Sequence, residues 1–254
     1  QGQKADSLAS STEEFQKEKL QLPQNDKASL ATFYLYKMQL CYMAGNYRDA
    51  LSAAQNVQPF AKAILGFMTS AEYNFYYSLT ITALYGELSV RDRRIYWKTL
   101  KKNQRQMKKW SEACKENFLQ KYLLVAAETA RLRNRREEAM SLYDQAIQSA
   151  RQNGYIQNEA LANELAARFY LSEGRSKIAS MYMMDACSGY KRWGAFAKVK
   201  ELQDRYPDLL DEIVPEEIKS NFTGMLENAH MISTSSDSET ASSMDMYIID
   251  KAVE

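Results

Sequence analysis

Glycine, proline, histidine and cysteine are all scarce in this chain of 254 residues. It contains nine Gly, four Pro, one His and three Cys. A β-rich fold needs frequent turns, so this shortage disfavours an all-β protein and favours long helices joined by short links. One histidine and three dispersed cysteines cannot supply a standard zinc site. We therefore expect no metal-binding residues.

The three cysteines, Cys41, Cys114 and Cys187, form no CxxC pair and are odd in number. This pattern disfavours a disulfide framework and indicates a reducing compartment. No apolar run approaches the ~20 residues of a membrane-spanning helix, and the polar N-terminus lacks the core of a signal peptide. We therefore predict a cytoplasmic protein with no membrane partner. The missing initiating Met suggests that the sequence was cut from a longer chain.

Motifs for catalysis and phosphate binding are also missing. There is no HExxH, no GxSxG elbow and no kinase-type glycine loop. Gly189 and Gly194 have phosphate-loop spacing, but Ala195 and Phe196 stand where Lys and Ser/Thr are needed, so we interpret them as a helix end. His230 lies beside a Ser-rich stretch and is interpreted as an exposed linker residue. We expect no catalytic residue and no cofactor in this segment.

Charge is balanced overall, with 33 basic and 32 acidic residues. This balance disfavours a general nucleic-acid binder. One stretch is basic, however, and it comprises Arg91, Arg93, Arg94, Lys98, Lys101, Lys102, Arg105, Lys108 and Lys109. It could contact an anionic partner, but a solvated helix face is the favoured interpretation. Ile95, Leu100, Met107 and Trp110 are predicted to pack on the inner side of the same helix.

The chain divides into four parts by composition. Residues 1–28 form a polar N-terminal segment, and residues 29–212 form a helical repeat domain. Residues 213–243 form a linker that is Ser-rich and flexible from 233 onward. Residues 244–254 regain an apolar pattern and are predicted to begin another helix.

Internal repeats carry most of the fold prediction. Pairs of amphipathic helices recur with a turn at Gly45, Asn134 or Gly174, at a spacing somewhat longer than the ~34 residues of a TPR. Small residues mark the positions where two helices cross closely: Ala50, Ala127, Ala139, Ala146, Ala167, Ala179 and Ala186. About four hairpins should stack, because one hairpin cannot bury its own apolar face. The fold class predicted is all-α, a TPR-like helical-hairpin solenoid (an α-α superhelix) with a concave surface.

A less regular pair of helices separates these copies. Residues 71–85 form an aromatic-rich helix, and residues 89–118 form a long polar one. The aromatic side chains could line a small-molecule pocket, but core filling is the favoured interpretation. They are Tyr73, Phe75, Tyr76, Tyr77 and Tyr85.

Several separated motifs occur in an order that resembles the TPR-like helical linker of very large multidomain signalling kinases, known from cyanobacteria, other bacteria and some fungi. They lie at 75–85, 103–110, 116–118, 121–132, 138–174 and 189–210. The last segment holds the family-motif residues Tyr190, Trp193, Gly194, Tyr206 and Pro207. In that family a serine/threonine-kinase-like domain and an AAA-type ATPase precede the helical region. A GAF sensor domain and a histidine kinase follow it.

The resemblance implies a non-catalytic linker and interaction module that couples an ATPase/kinase-like part to a sensor/histidine kinase part of a two-component signalling protein. ATP binding and kinase activity would belong only to the parent domains, and residues 244–254 would lead into the GAF-like domain. Partners would be proteins, peptides or neighbouring domains, and not nucleic acid. The alternatives are a free-standing peptide-binding TPR scaffold and the helical sensor region of an ATPase-type transcription activator.

Overall fold

The computed structural model describes residues 26–211, and this range is helical without a β-strand. Ten α-helices and two short 3₁₀ helices, Gln58–Ile64 and Tyr85–Glu87, occur within it. The α-helices are α1 (Lys27–Met43), α2 (Tyr47–Val57), α3 (Met68–Leu84), α4 (Val90–Ala113), α5 (Lys115–Leu132), α6 (Arg136–Gln152), α7 (Ile156–Ser172), α8 (Ser176–Trp193), α9 (Phe196–Arg205) and α10 (Pro207–Asp211). The predicted N-terminal segment, except its last three residues, the linker at 213–243 and the helix at 244–254 lie outside this range.

Two compact units divide the chain, Gln1–Ala166 and Ala167–Glu254. In the first unit α1 packs against α2 and α3, α3 packs against α4 and α5, and α5 packs against α4 and α6. Helices α1 and α3, each the first of a hairpin, thus contact both their own partner and the first helix of the next hairpin. This nearest-neighbour packing is typical of helical repeat proteins and confirms the predicted TPR-like, all-α fold class.

In the second unit, α8 packs against α9 and α10. The Ser180 hydroxyl donates a hydrogen bond to the backbone carbonyl of Leu209. Tyr170 near the end of α7 stacks on Tyr182 of α8, with ring centroids 5.2 Å apart. Buried aromatic pairs of this kind add stabilisation to that from their buried area.

A repeated backbone motif ends five of these helices. In each, one residue adopts a left-handed conformation, and the residue after it donates a backbone hydrogen bond to the carbonyl five positions earlier, as Arg135 does to Ala130 at 3.0 Å. This is the Schellman arrangement, which satisfies carbonyls at the helix end. The left-handed residues are Gly45, Asn134, Gly154, Gly174 and Gly194. The predicted turns at Gly45, Asn134 and Gly174 are confirmed.

Helix α1 begins two residues before the predicted boundary at 29. The Asp26 carboxylate accepts backbone hydrogen bonds from Ala28 at 3.0 Å and Ser29 at 3.1 Å. A side-chain cap of this type satisfies amide groups that have no partner within the helix. The cap extends the helical region to Lys27.

The predicted long polar helix at 89–118 is wrong in one respect. Cys114 is extended, with φ −148° and ψ 94°, so α4 ends at Ala113 and α5 begins at Lys115. The ENF segment therefore belongs to α5. No Gly or Pro marks this break, and for that reason the helical period alone did not reveal it.

Candidate interaction surface

The predicted repeat-packing residues lie between helices. Each has a side chain no more than 1% exposed: Ala50, Ala127, Ala139, Ala146, Ala167, Ala179 and Ala186. A methyl group allows two helix backbones to approach closely, and burial of this degree is what such packing requires.

The family-motif residues lie in the second unit and differ in burial. Tyr190 is fully buried in α8, whereas Trp193 and Tyr206 are half-buried. Gly194 has φ +88° and ends α8, which confirms the helix-end interpretation for this glycine. Gly189 instead lies buried inside the helix. Pro207 opens α10, where its missing amide hydrogen costs nothing.

The aromatic residues of α3 fill the core, as predicted. Phe75, Tyr76 and Tyr77 are at most 7% exposed. Tyr73 is half-buried and stacks on Tyr77, with ring centroids 5.5 Å apart, and its hydroxyl donates to the carbonyl of Ala54 at 3.1 Å. These rings fill space between helices.

A groove of about 280 Å³ lies between α4 and α5 and ends near Glu138 at the start of α6. Its α4 wall comes from positions at helical spacing, Trp97, Leu100, Lys101, Gln104, Arg105 and Lys108. Its α5 wall comes from a matching stripe, Tyr122, Ala126, Thr129, Ala130 and Arg133. Positions three or four apart share a helix face, so two antiparallel stripes can line one groove. Ala126 therefore lies at the groove and not in the core.

The rim of the groove is cationic. Lys101, Arg105, Lys108 and Arg133 contribute four positive charges, and Glu138 contributes one negative charge. Glu138 is already paired with Arg135, at 3.2 Å. No acidic side chain between residues 26 and 211 forms an ion pair with Lys101, Arg105 or Arg133. Lys108 lies 3.8 Å from a carboxylate oxygen of Glu112. The charge that the described residues leave unneutralised is therefore that of Lys101, Arg105 and Arg133.

Trp97 organises one end of this rim. The guanidinium carbon of Arg133 lies 4.9 Å from the Trp97 ring centroid, and the ammonium of Lys101 lies 6.0 Å from it. Cation–π contacts of this geometry hold charged side chains in place without cancelling their charge. The two cations are positioned on opposite helices at the same end of the groove.

Packing and hydrogen bonds fix α4 against its neighbours. Leu100 and Met107 are at most 1% exposed, which confirms their predicted inward position. The Gln104 amide donates to the carbonyl of Tyr122 at 2.8 Å. On the α3 side, the Asn103 amide donates to the hydroxyl of Ser78 at 3.2 Å. These contacts hold both walls of the groove in register.

The predicted inward position of Ile95 is wrong, because its side chain is 51% exposed. Trp110 is half-buried, and its ring centroid lies 6.0 Å from that of Phe118. The apolar face of α4 therefore turns inward only from Leu100 onward. Sequence periodicity identified the basic stretch and the inward side of α4. It did not identify the α5 wall or Arg133.

A second polar cluster is buried inside the first unit. The Tyr143 hydroxyl donates a hydrogen bond to Glu128, and the Arg131 guanidinium lies 2.6 Å from a Glu128 carboxylate oxygen. Burial, followed by the negative charge of Glu128, raises the pKa of Tyr143 well above its usual value. Arg131 also donates to the carbonyl of Thr82 in α3, at 3.4 Å. The cluster ties α3, α5 and α6 together.

Among residues 26–211 no three His, Cys, Asp or Glu side chains come close enough to hold a metal ion. Cys41, Cys114 and Cys187 are all free thiols. None of the helices in the described range has the length and apolar character needed to cross a bilayer. His230 lies outside this range.

The fold and the packing define an all-helical repeat protein built from TPR-like hairpins. A family model described as "CHK1-like, TPR repeats" matches residues 9–209, and the chain belongs to this family. A shorter stretch of 62 residues is 40% identical to a protein of Dictyostelium discoideum named hybrid signal transduction histidine kinase G. That match covers 24% of this chain and only 2% of the kinase. No solved structure gives a significant match.

Proposed function

We propose that this chain is a non-catalytic interaction and linker module of a signal-transduction kinase. It binds protein partners and couples an ATPase/kinase-like part to a sensor/histidine kinase part. The observation that carries this proposal is the 40% identity over 62 residues to a hybrid histidine kinase, within a chain of TPR repeats.

The packing of the first unit supports a mechanical role. Hairpins joined by short Schellman turns, with alanines at the crossings, leave little room for one hairpin to move independently of the next. A displacement at one end of such a unit is passed on as a rigid-body shift. The cationic groove supports a binding role.

Determining the coding sequence on both sides of this segment tests the kinase context. We expect an AAA-type ATPase upstream and a GAF domain followed by a histidine kinase downstream. A reading frame that closes near both ends would overturn the kinase context and leave a peptide-binding scaffold. A helix-turn-helix domain downstream would instead identify a transcription activator.

Coupling is tested in the intact parent protein. Residues 26–211 are replaced by a Gly/Ser linker of equal length, and histidine autophosphorylation is measured with and without ATP hydrolysis by the upstream part. We expect autophosphorylation to persist and its dependence on the upstream part to be lost. Unchanged dependence would contradict the coupling role.

A further inference from the structure

Charge in this chain is segregated in a way that its overall balance conceals. Helix α4 carries nine basic and two acidic side chains, whereas the rest of the chain carries 24 basic and 30 acidic ones. A solvated helix face needs no such excess of one sign, because mixed charges keep a surface soluble equally well. The excess on α4 points to an anionic partner.

We infer that the groove between α4 and α5 binds an acidic peptide segment of a partner protein. This inference rests on the proposed function, since it names the class of partner that the interaction module takes. Lys101, Arg105 and Lys108 form one cationic wall, and Arg133 closes the end of the groove beside Trp97. Carboxylates on the peptide pair with Lys101, Arg105 and Arg133, and they compete with Glu112 for Lys108.

The dimensions fit a peptide. From Trp97 to Lys108 the α4 wall rises about 16 Å, the length of about five residues of extended chain. Lys101 and Arg105 are separated by about 6 Å along the helix axis, close to the distance between alternate residues of an extended strand. Acidic residues at alternate positions therefore meet successive cations of the rim.

The floor of the groove favours a peptide over nucleic acid. Ala126 is partly exposed between the two walls, and the buried Leu100 and Ala130 lie beneath the groove beside it. This apolar strip accepts one or two aliphatic side chains, which lie between the acidic positions of the peptide. A nucleic-acid backbone has no such group to place there.

The test measures binding of a fluorescein-labelled peptide of 12 residues, with Glu or Asp alternating with Leu or Ala, by fluorescence anisotropy on the full chain. A peptide with Gln and Asn in place of the acids is the neutral control. We expect the acidic peptide alone to bind, and its affinity to fall at least about fivefold as added NaCl screens the charges.

Charge reversal inside and outside the groove locates the site. Lys101→Glu with Arg105→Glu should weaken binding at least about tenfold. Lys98→Glu with Lys102→Glu is the matched control, because both residues are exposed on α4, lie outside the groove and have the same spacing. It should weaken binding less than about threefold. If circular dichroism shows that the charge-reversed double variant at Lys101 and Arg105 does not fold, the double variant Lys101→Gln with Arg105→Gln replaces it.

An equal loss of affinity in the two double variants would overturn the groove as the binding site, because general electrostatic attraction to α4 would then explain the binding. No binding, or equal binding of the neutral peptide, would also overturn it. Tighter binding of single-stranded RNA than of the acidic peptide would assign the cationic wall to nucleic acid. The result does not depend on the flanking coding sequence, so failure here and failure of the kinase context are separate outcomes.

Discussion

The ammonium group of Lys121 lies 3.0 Å from a carboxylate oxygen of Glu72, with the lysine side chain 2% exposed and the glutamate side chain 27% exposed. This ion pair joins α5 to α3. The same ammonium lies 5.0 Å from the ring centroid of Tyr155 and 5.8 Å from that of Phe75. A buried cation is thus held by one partly exposed carboxylate and two aromatic rings.

Because the lysine is buried and the glutamate is partly exposed, removing each charge should lower the stability of the fold by a different amount. Glu72→Gln leaves a buried ammonium without a counter-charge and should lower the free energy of unfolding by about 2–4 kcal/mol. Lys121→Met fills a similar volume and leaves a carboxylate that water can reach, so it should cost less than about 1.5 kcal/mol. Urea denaturation followed by circular dichroism measures both. Equal losses would contradict the view that burial of the ammonium dominates.

Buried tyrosines predict a loss of stability in alkali. Burial raises the pKa of Tyr77 from 10.0 to about 12, and burial also raises the pKa values of Tyr73, Tyr76 and Tyr143. Above pH 10 the unfolded chain loses these protons while the folded chain keeps them. The free energy of unfolding therefore falls as pH rises, by about 1.4 kcal/mol per pH unit for each such tyrosine.

Urea midpoints between pH 9 and 12 measure this effect. Stability should stay level with respect to these groups below pH 10 and fall toward pH 12. A Tyr77→Phe variant lacks one of the titrating groups, so its stability should fall less steeply. An identical slope in the variant would show that Tyr77 keeps its ordinary pKa.

The left-handed backbone conformation at the end of α8 predicts that adding a side chain at Gly194 lowers the stability of the fold. Gly194 has φ +88°, and a methyl group placed there would meet no atom within 4 Å, so Gly194→Ala should cost about 1–2 kcal/mol through backbone strain alone. Gly86→Ala is the control, because that position is equally open and does not need positive φ. It should change stability by less than about 0.5 kcal/mol, or raise it slightly. Thermal unfolding compares the two, and equal effects would contradict the assigned strain.

Two apolar residues of α4 should differ strongly in their contribution to the free energy of unfolding. Met107 is fully buried, so Met107→Ala should cost about 2–5 kcal/mol, whereas Ile95 is 51% exposed and Ile95→Ala should cost less than about 1 kcal/mol. Urea denaturation measures both. A large loss from Ile95→Ala would show that this side chain packs against a surface outside residues 26–211.

Features that depend on local spacing along the chain could be predicted from the sequence, whereas contacts between distant helices could not. Ala139 and Ala179 were predicted as equivalent residues of successive hairpins, because the repeat pattern places a small residue at the same position in each. The burial of Lys121 could not be predicted in this way, because its partner Glu72 lies in another helix, 49 positions earlier. The groove could not be predicted either, because the contact between Arg133 and Trp97 depends on how α4 and α5 pack.

The break at Cys114 sets a limit on how this chain can change length. With a single extended residue joining α4 to α5, no loop is present to absorb an insertion between the two groove walls. An added residue would have to enter a helix, and each one would rotate the preceding stripe by about 100° relative to the facing wall. An insertion beside Cys114 would therefore turn Trp97 away from Arg133, so the register of the two walls constrains the lengths of α4 and α5.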